Sequence, residues 1–99
     1  MEHTTKFMVF YWLKDKKDLE LLKQTVSSMT DIEALLSLEV GTPSSLVDHI
    51  VDASYDVAAI FTMRSTEDFP AIFGSPLHQA ASKVFHDILA NIKGYVIEF

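Results

Sequence analysis

A chain of 99 residues that is 48% hydrophobic is long enough for one domain with one modest core, and disorder is excluded. Fourteen acidic residues against eight basic ones leave a formal net charge of −6, and no basic cluster is present to meet nucleic acid or an anionic membrane surface. The complete lack of cysteine excludes disulfides, thiol catalysis and thiolate metal sites.

The opening residues, Met1 to Lys6, lack the charged-then-apolar layout of a signal peptide. The apolar run Phe7 to Leu13 is far shorter than the roughly 20 residues a membrane helix requires, so the expected compartment is the cytoplasm. That run is rich in aromatic and β-branched residues and reads as the first strand. Phe7, Val9, Tyr11 and Leu13 fall on one face and Met8, Phe10 and Trp12 on the other, so both faces are apolar and both need cover.

Lys14 to Asp18 is a polar break in which Asp15 is a plausible N-cap. Leu19, Leu22, Val26 and Met29 follow at helical spacing, with Glu20, Lys23, Gln24 and Ser27 turned outward, which predicts an amphipathic helix ending near Thr30. Ile32 to Val40 is predicted as the second strand, with Leu36, Leu38 and Val40 on one face, and Gly41 to Ser45 ends it with turn chemistry. The connection Thr42 to Ala53 carries Leu46, Val47, Ile50 and Val51 and is expected to pack down onto the body. Asp48, His49 and Asp52 share this connection without a fixed metal-ligand spacing, and no metal site is expected.

Tyr55 to Met63 is predicted as the third strand, again apolar on both faces. Ser65 to Asp68 is a helix-start signal before a short helical segment, Phe69 to Phe73, which Gly74 closes. Ser75 then suits an N-cap and Pro76 a first helical position. Leu77, Ala80, Ala81, Val84, Phe85, Ile88 and Leu89 form one apolar helical face, so the main helix is expected from about Pro76 to Ala90. Lys93-Gly94 leads into a fourth strand at Tyr95 to Phe99.

The order β-α-β-β-α-β predicts a ferredoxin-like α+β sandwich, one four-stranded antiparallel sheet with its helices on one face. Two helices cover only one side of a sheet whose strands are apolar on both. A bare second face would exceed the ~400 Å² that monomers tolerate, and the economical cover is a second copy of the chain, sheet against sheet.

Leu38-Glu39-Val40-Gly41, Tyr55-Asp56-Val57 and Ser75-Pro76-Leu77-His78 resemble, in order and spacing, the stress-responsive dimeric α/β-barrel proteins, over about Lys6 to Phe99. The resemblance implies a homodimeric α+β barrel with a cavity in each subunit between sheet and helices, and no cofactor. Family chemistry is diverse: one plant member cyclises a polyketide by an aldol reaction, related barrels are cofactor-free monooxygenases, and many members have no assigned reaction.

On this resemblance the residues placed to bind a small hydrophobic or aromatic ligand are Phe7, Val9, Tyr11, Ile72, Phe73, His78 and Phe85. His78 matches the cyclase's general base, whereas the tyrosine six residues before it is replaced by Ile72. A histidine common early in the first strand is replaced by Phe7, since His3 lies four residues too early. Read from the residues alone, His78 sits in the first turn of a helix beside an apolar face, where burial and the helix dipole favour the neutral, proton-accepting form. The competing reading is a helix-start residue with a structural bond. Tyr11, Tyr55 and Tyr95 are the available phenols. His86 is expected in solvent, and Glu33, Glu39, Asp56 and Glu98 at sheet edges or in solvent. The sequence thus predicts a homodimeric small-molecule-binding protein, with a cofactor-independent cyclase or monooxygenase as the alternative.

Overall fold

The computed structural model describes residues 3–99. Its elements are β1 (Thr5–Leu13), α1 (Leu19–Ser27), β2 (Ser37–Gly41), β3 (Val57–Met63), α2 (Phe69–Phe73), α3 (Pro76–Ile88) and β4 (Leu89–Glu98). Short 3-10 turns, Lys16–Asp18 and Thr66–Asp68, lead into α1 and α2, capped by Asp15 and Ser65 side chains that accept from Lys17 and Glu67 N–H groups. A third, Ser28–Asp31, continues α1.

The strands form one antiparallel sheet in the order β2-β3-β1-β4, the ferredoxin-like arrangement expected from the element order. The register decides which side each residue occupies. Phe7 lies opposite Phe61 and Val96, Val9 opposite Ala59 and Gly94, and Tyr11 opposite Val57 and Ile92. This row faces the helices, and its Val9, Tyr11, Leu13, Val57, Ala59, Phe61 and Met63 form the core with Leu22, Val26, Met29, Ile72, Ala81, Phe85 and Ile88.

The other row joins Met8 to Ile60 and Tyr95, and Phe10 to Ala58 and Lys93. No helix covers it. Phe10 meets Tyr55 edge to face at 5.1 Å between ring centroids and Tyr95 at 6.2 Å. Trp12 Nε1 donates to Ser54 Oγ at 3.1 Å, and Lys93 Nζ lies 5.9 Å above the Trp12 ring. These side chains leave a shallow hollow of about 220 Å³ on this face.

Several boundaries differ from the sequence reading. The second strand starts at Ser37 rather than Ile32, because Ile32 is buried at the end of the 3-10 turn and its N–H bonds to Met29 O. The third strand starts at Val57, two residues after Tyr55. The main helix ends at Ile88, and β4 begins directly at Leu89 rather than at Tyr95. Ala90 is the extra residue of an irregularity in the β1–β4 ladder, where Trp12 pairs with Asn91 but Leu13 pairs with Leu89. The buried stripe of α3 is Ala81, Phe85 and Ile88, while Leu77 and Ala80 are exposed.

The connection before β3 does not pack down as expected. Val47 is 92% exposed and Ile50 81%, with Leu46 also bare. Local bonds still shape it: Ser44 Oγ accepts from Leu46 N–H, Asp48 Oδ1 from Ile50 N–H and Asp52 Oδ1 from Ser54 N–H. Its turns are satisfied within the segment, and its apolar side chains stay largely exposed.

Asp56 also departs from expectation. Its side chain is only 12% exposed, and it accepts from Leu13 N–H at 2.7 Å and Lys16 Nζ at 2.6 Å. The carboxylate ties the end of β1 to the start of β3. Glu33, Glu39 and Glu98 are exposed.

Candidate functional site

Gly74 and Ser75 place the central side chain of the site. A methyl group at Gly74 would lie 2.7 Å from the Pro70 carbonyl oxygen, so only glycine lets α2 end this tightly against its own first turn. Ser75, in extended backbone, caps α3 by accepting from His78 N–H at 3.2 Å, while Pro76 occupies the first turn. His78 is thereby held in the first turn of α3, with its ring turned back toward α2.

That ring is half-buried. It meets Phe73 edge to face, with centroids 4.8 Å apart and planes at 85°, and its Nδ1 lies 3.4 Å from Ser82 Oγ, one helical turn on. Burial pushes the imidazole below its ordinary value, and a hydrogen bond to the Phe73 backbone carbonyl works partly against this. At neutral pH the ring is therefore mostly uncharged and able to accept a proton.

His78 opens on a cavity of about 660 Å³ between the sheet and α2–α3. The sheet supplies the floor through Phe7, Val9, Tyr11 and Phe61. Phe69 and Phe73 of α2 form one wall, and Ser82 and Phe85 of α3 the other. The mouth lies where α3 runs into β4, at His86, Leu89, Ala90, Asn91 and Ile92. Phe7, Phe61, Phe69 and Phe73 form a continuous aromatic cluster with centroid separations of 4.3 to 5.9 Å. Tyr11 meets Phe85 with ring centroids 5.0 Å apart and planes tilted by 39°. Burial pushes the Tyr11 phenol well up, so it stays protonated and is a potential hydrogen-bond donor.

Six of the residues singled out from sequence, Phe7, Val9, Tyr11, Phe73, His78 and Phe85, thus line one cavity. Ile72 does not. It is fully buried in the core, because its position on α2 points away from the cavity that Phe69 and Phe73 face. Of the three phenols, only Tyr11 lines the cavity; Tyr55 and Tyr95 lie at the hollow on the opposite sheet face. His3 is exposed, with Nδ1 2.9 Å from the Phe99 carbonyl oxygen, and takes no part. His86 is exposed but stands at the mouth.

Sequence reasoning missed Phe61, Phe69, Ser82 and the mouth residues as lining. Ser82 was findable, since it follows His78 by four positions and so shares its helical face. Asn91 and Ile92 were hidden by reading the helix too far and the strand too late. Asp48, His49 and Asp52 remain a loop cluster. His49 Nδ1 is 3.0 Å from Asp48 Oδ1, while Asp52 serves its own turn.

Solved structures share this architecture. A hydroxynitrile lyase from Passiflora edulis matches with a TM-score of 0.76 and 20% identity, over 97% of this chain and 93% of that one. A dimeric protein of unknown function with a ferredoxin-like fold, from Bacteroides fragilis, matches at 0.74 and 17%, over 97% and 96%. SnoaB, a cofactor-independent oxygenase from Streptomyces nogalater, matches at 0.63 and 10%, over 98% and 92%. At such identities the likeness is one of fold. No curated protein matches the chain. Residues 6–99 match the family described as the stress-responsive A/B barrel domain, and the chain belongs to that family.

Proposed function

We propose that the protein is a homodimer in which each subunit binds one small hydrophobic or aromatic compound in the cavity beneath α2 and α3. The cavity carries this reading. Its 660 Å³ lies within the roughly 300–1,000 Å³ of small-molecule sites, and its largely aromatic lining carries a few polar groups, among them His78, Ser82 and the Tyr11 phenol. The dimer is supported by the helix-free face of Met8, Phe10, Ile60 and Tyr95 and by the exposed Leu46, Val47 and Ile50, apolar surface that a second copy would bury. The related Bacteroides fragilis protein is described as dimeric.

Native mass spectrometry of freshly purified protein tests both parts. A dimer carrying a reproducible extra mass, or taking up an added aryl alcohol such as 1-naphthol, is the expected result. A dimer that binds no such compound would overturn the ligand-binding part, and a monomer at micromolar concentration the dimer.

A second reading, a cofactor-independent enzyme, is favoured by one pairing. His78 is a depressed, proton-accepting imidazole, and Tyr11 lines the same cavity as a phenol that stays protonated. Together they would form a general base and a hydrogen-bond donor around an ionisable aromatic substrate, as a polyketide cyclase-like or monooxygenase-like reaction requires. Loss of turnover in His78→Ala, with ligand binding retained, would establish the enzymatic reading once a substrate is found.

A further inference from the structure

We propose that the Phe7 ring, seated on the bare backbone of Gly94, is the size gauge of the cavity; this rests on the ligand-binding reading above. Gly94 lies on the helix-facing row of β4, opposite Val9 and two residues from Val96, the partner of Phe7. Glycine inside a strand weakens it and commonly marks a close approach by another group. Here the approaching group is the Phe7 ring. A methyl at Gly94 would lie 2.5 Å from Phe7 Cε1 and 2.8 Å from Cζ, well inside van der Waals contact.

The ring thus leans diagonally from β1 across the floor onto β4 instead of standing up into the cavity. On its other sides it is hemmed in by Phe73 at 5.1 Å, Phe69 at 5.3 Å and Phe61 at 5.9 Å between centroids. Displacement by a methyl at Gly94 therefore has one outlet, the cavity that the ring already lines. The absent Cβ keeps the floor low, and the ring sets how thick or broad a ligand fits. Gly94→Ala raises the floor; Phe7→Ala removes it.

The test pairs two aryl alcohols of different size, phenol and 1-naphthol, measured by calorimetric titration on wild type, Gly94→Ala, Phe7→Ala and the double variant. In Gly94→Ala, 1-naphthol is expected to bind about tenfold more weakly while phenol changes by less than about threefold, the scale of discrimination that small steric changes produce in apolar pockets. Phe7→Ala is expected to shift preference toward 1-naphthol, and the double variant to follow Phe7→Ala, because the methyl then has no ring to push.

Melting temperatures of the same four proteins read the contact without any ligand. Gly94→Ala is expected to lower the value in the presence of Phe7 and to leave it unchanged, or raise it, in its absence. Equal loss of both alcohols in Gly94→Ala, or an equal destabilisation with and without Phe7, would overturn the gauge while leaving the binding site in place. Binding of neither alcohol by any folded variant would remove the site and the gauge together.

Discussion

Phe73 and His78 meet edge to face across the junction of α2 and α3, with centroids 4.8 Å apart. The contact excludes water from one side of the imidazole and leaves the other toward the cavity, which is why burial lowers its proton affinity. The folded protein therefore disfavours protonated His78. The stability gained from the neutral ring is complete above its ordinary value of 6.5 and is drawn down as pH falls from there to the lower folded value. Denaturant midpoints measured from pH 8 to pH 4.5 should fall more for wild type than for His78→Gln. Parallel curves would show that the histidine is not desolvated.

Asp56 is the polar link that should matter most for stability. Burial would raise its carboxyl, but the Leu13 N–H and Lys16 ammonium outweigh it and hold the group below the usual carboxylate range. Asp56→Ala leaves the Leu13 N–H without its partner and should cost about 1–3 kcal/mol in urea unfolding. Lys16, whose side chain is largely exposed, should cost less than about 1 kcal/mol when replaced by alanine. The Asp56 contribution is present above its ordinary value of 3.8 and is lost as pH falls through the lower folded value.

The uncovered sheet face gives a prediction about assembly. Phe10 stands between Tyr55 and Tyr95 on that face. Phe10→Arg should weaken self-association by at least about thirtyfold, as removal of a central aromatic anchor does, and move the sedimentation profile from dimer to monomer. Val47→Asp with Ile50→Asp should also weaken it, if the bare segment before β3 lies against the partner. Retention of the dimer in Phe10→Arg would place the contact elsewhere.

Gly74 should tolerate no side chain. Alanine there puts a methyl 2.7 Å from the Pro70 carbonyl oxygen, a backbone atom that cannot rotate away. Gly74→Ala should cost about 1–3 kcal/mol, the scale of overpacking, and should shift the His78 ring resonance because α2 and α3 must part. Unchanged stability and an unchanged imidazole signal would count against the tight junction.

The parts legible in the sequence were those with unbroken periods. Alternation from Phe7 to Leu13 fixed both faces of β1, and Ser75-Pro76 marked the start of α3, while the candidate lining residues came with the family resemblance. The misplaced parts lie where periods overlap. Ile88 and Leu89 continue the helical stripe on paper, yet the chain turns extended between them, which hid the mouth of the cavity. Ile32, Ala34 and Leu35 look like the opening of a strand but close a turn beneath it. Leu46, Val47 and Ile50 looked like core because hydrophobicity alone does not say whether a segment folds back onto its own body. Ile72 was carried into the site by its match to a family position, whereas the short α2 turns it into the core.

The pairing of β1 with β4 has a consequence for the order of events at the ribosome. β1 precedes the other three strands and lies inside the sheet, but its neighbour on one side is β4, the strand farthest from it along the chain, with Thr5 opposite Glu98. Until Leu89–Glu98 emerges, β1 presents one unpaired edge and the Phe7 ring lacks its seat on Gly94. The nascent chain thus carries an open strand template while the residues between β1 and β4 are made, a state in which pairing with a neighbouring nascent chain competes with completion of the fold. Slow translation of Leu89–Glu98 should consequently lower soluble yield more than a pause of equal length placed within α1.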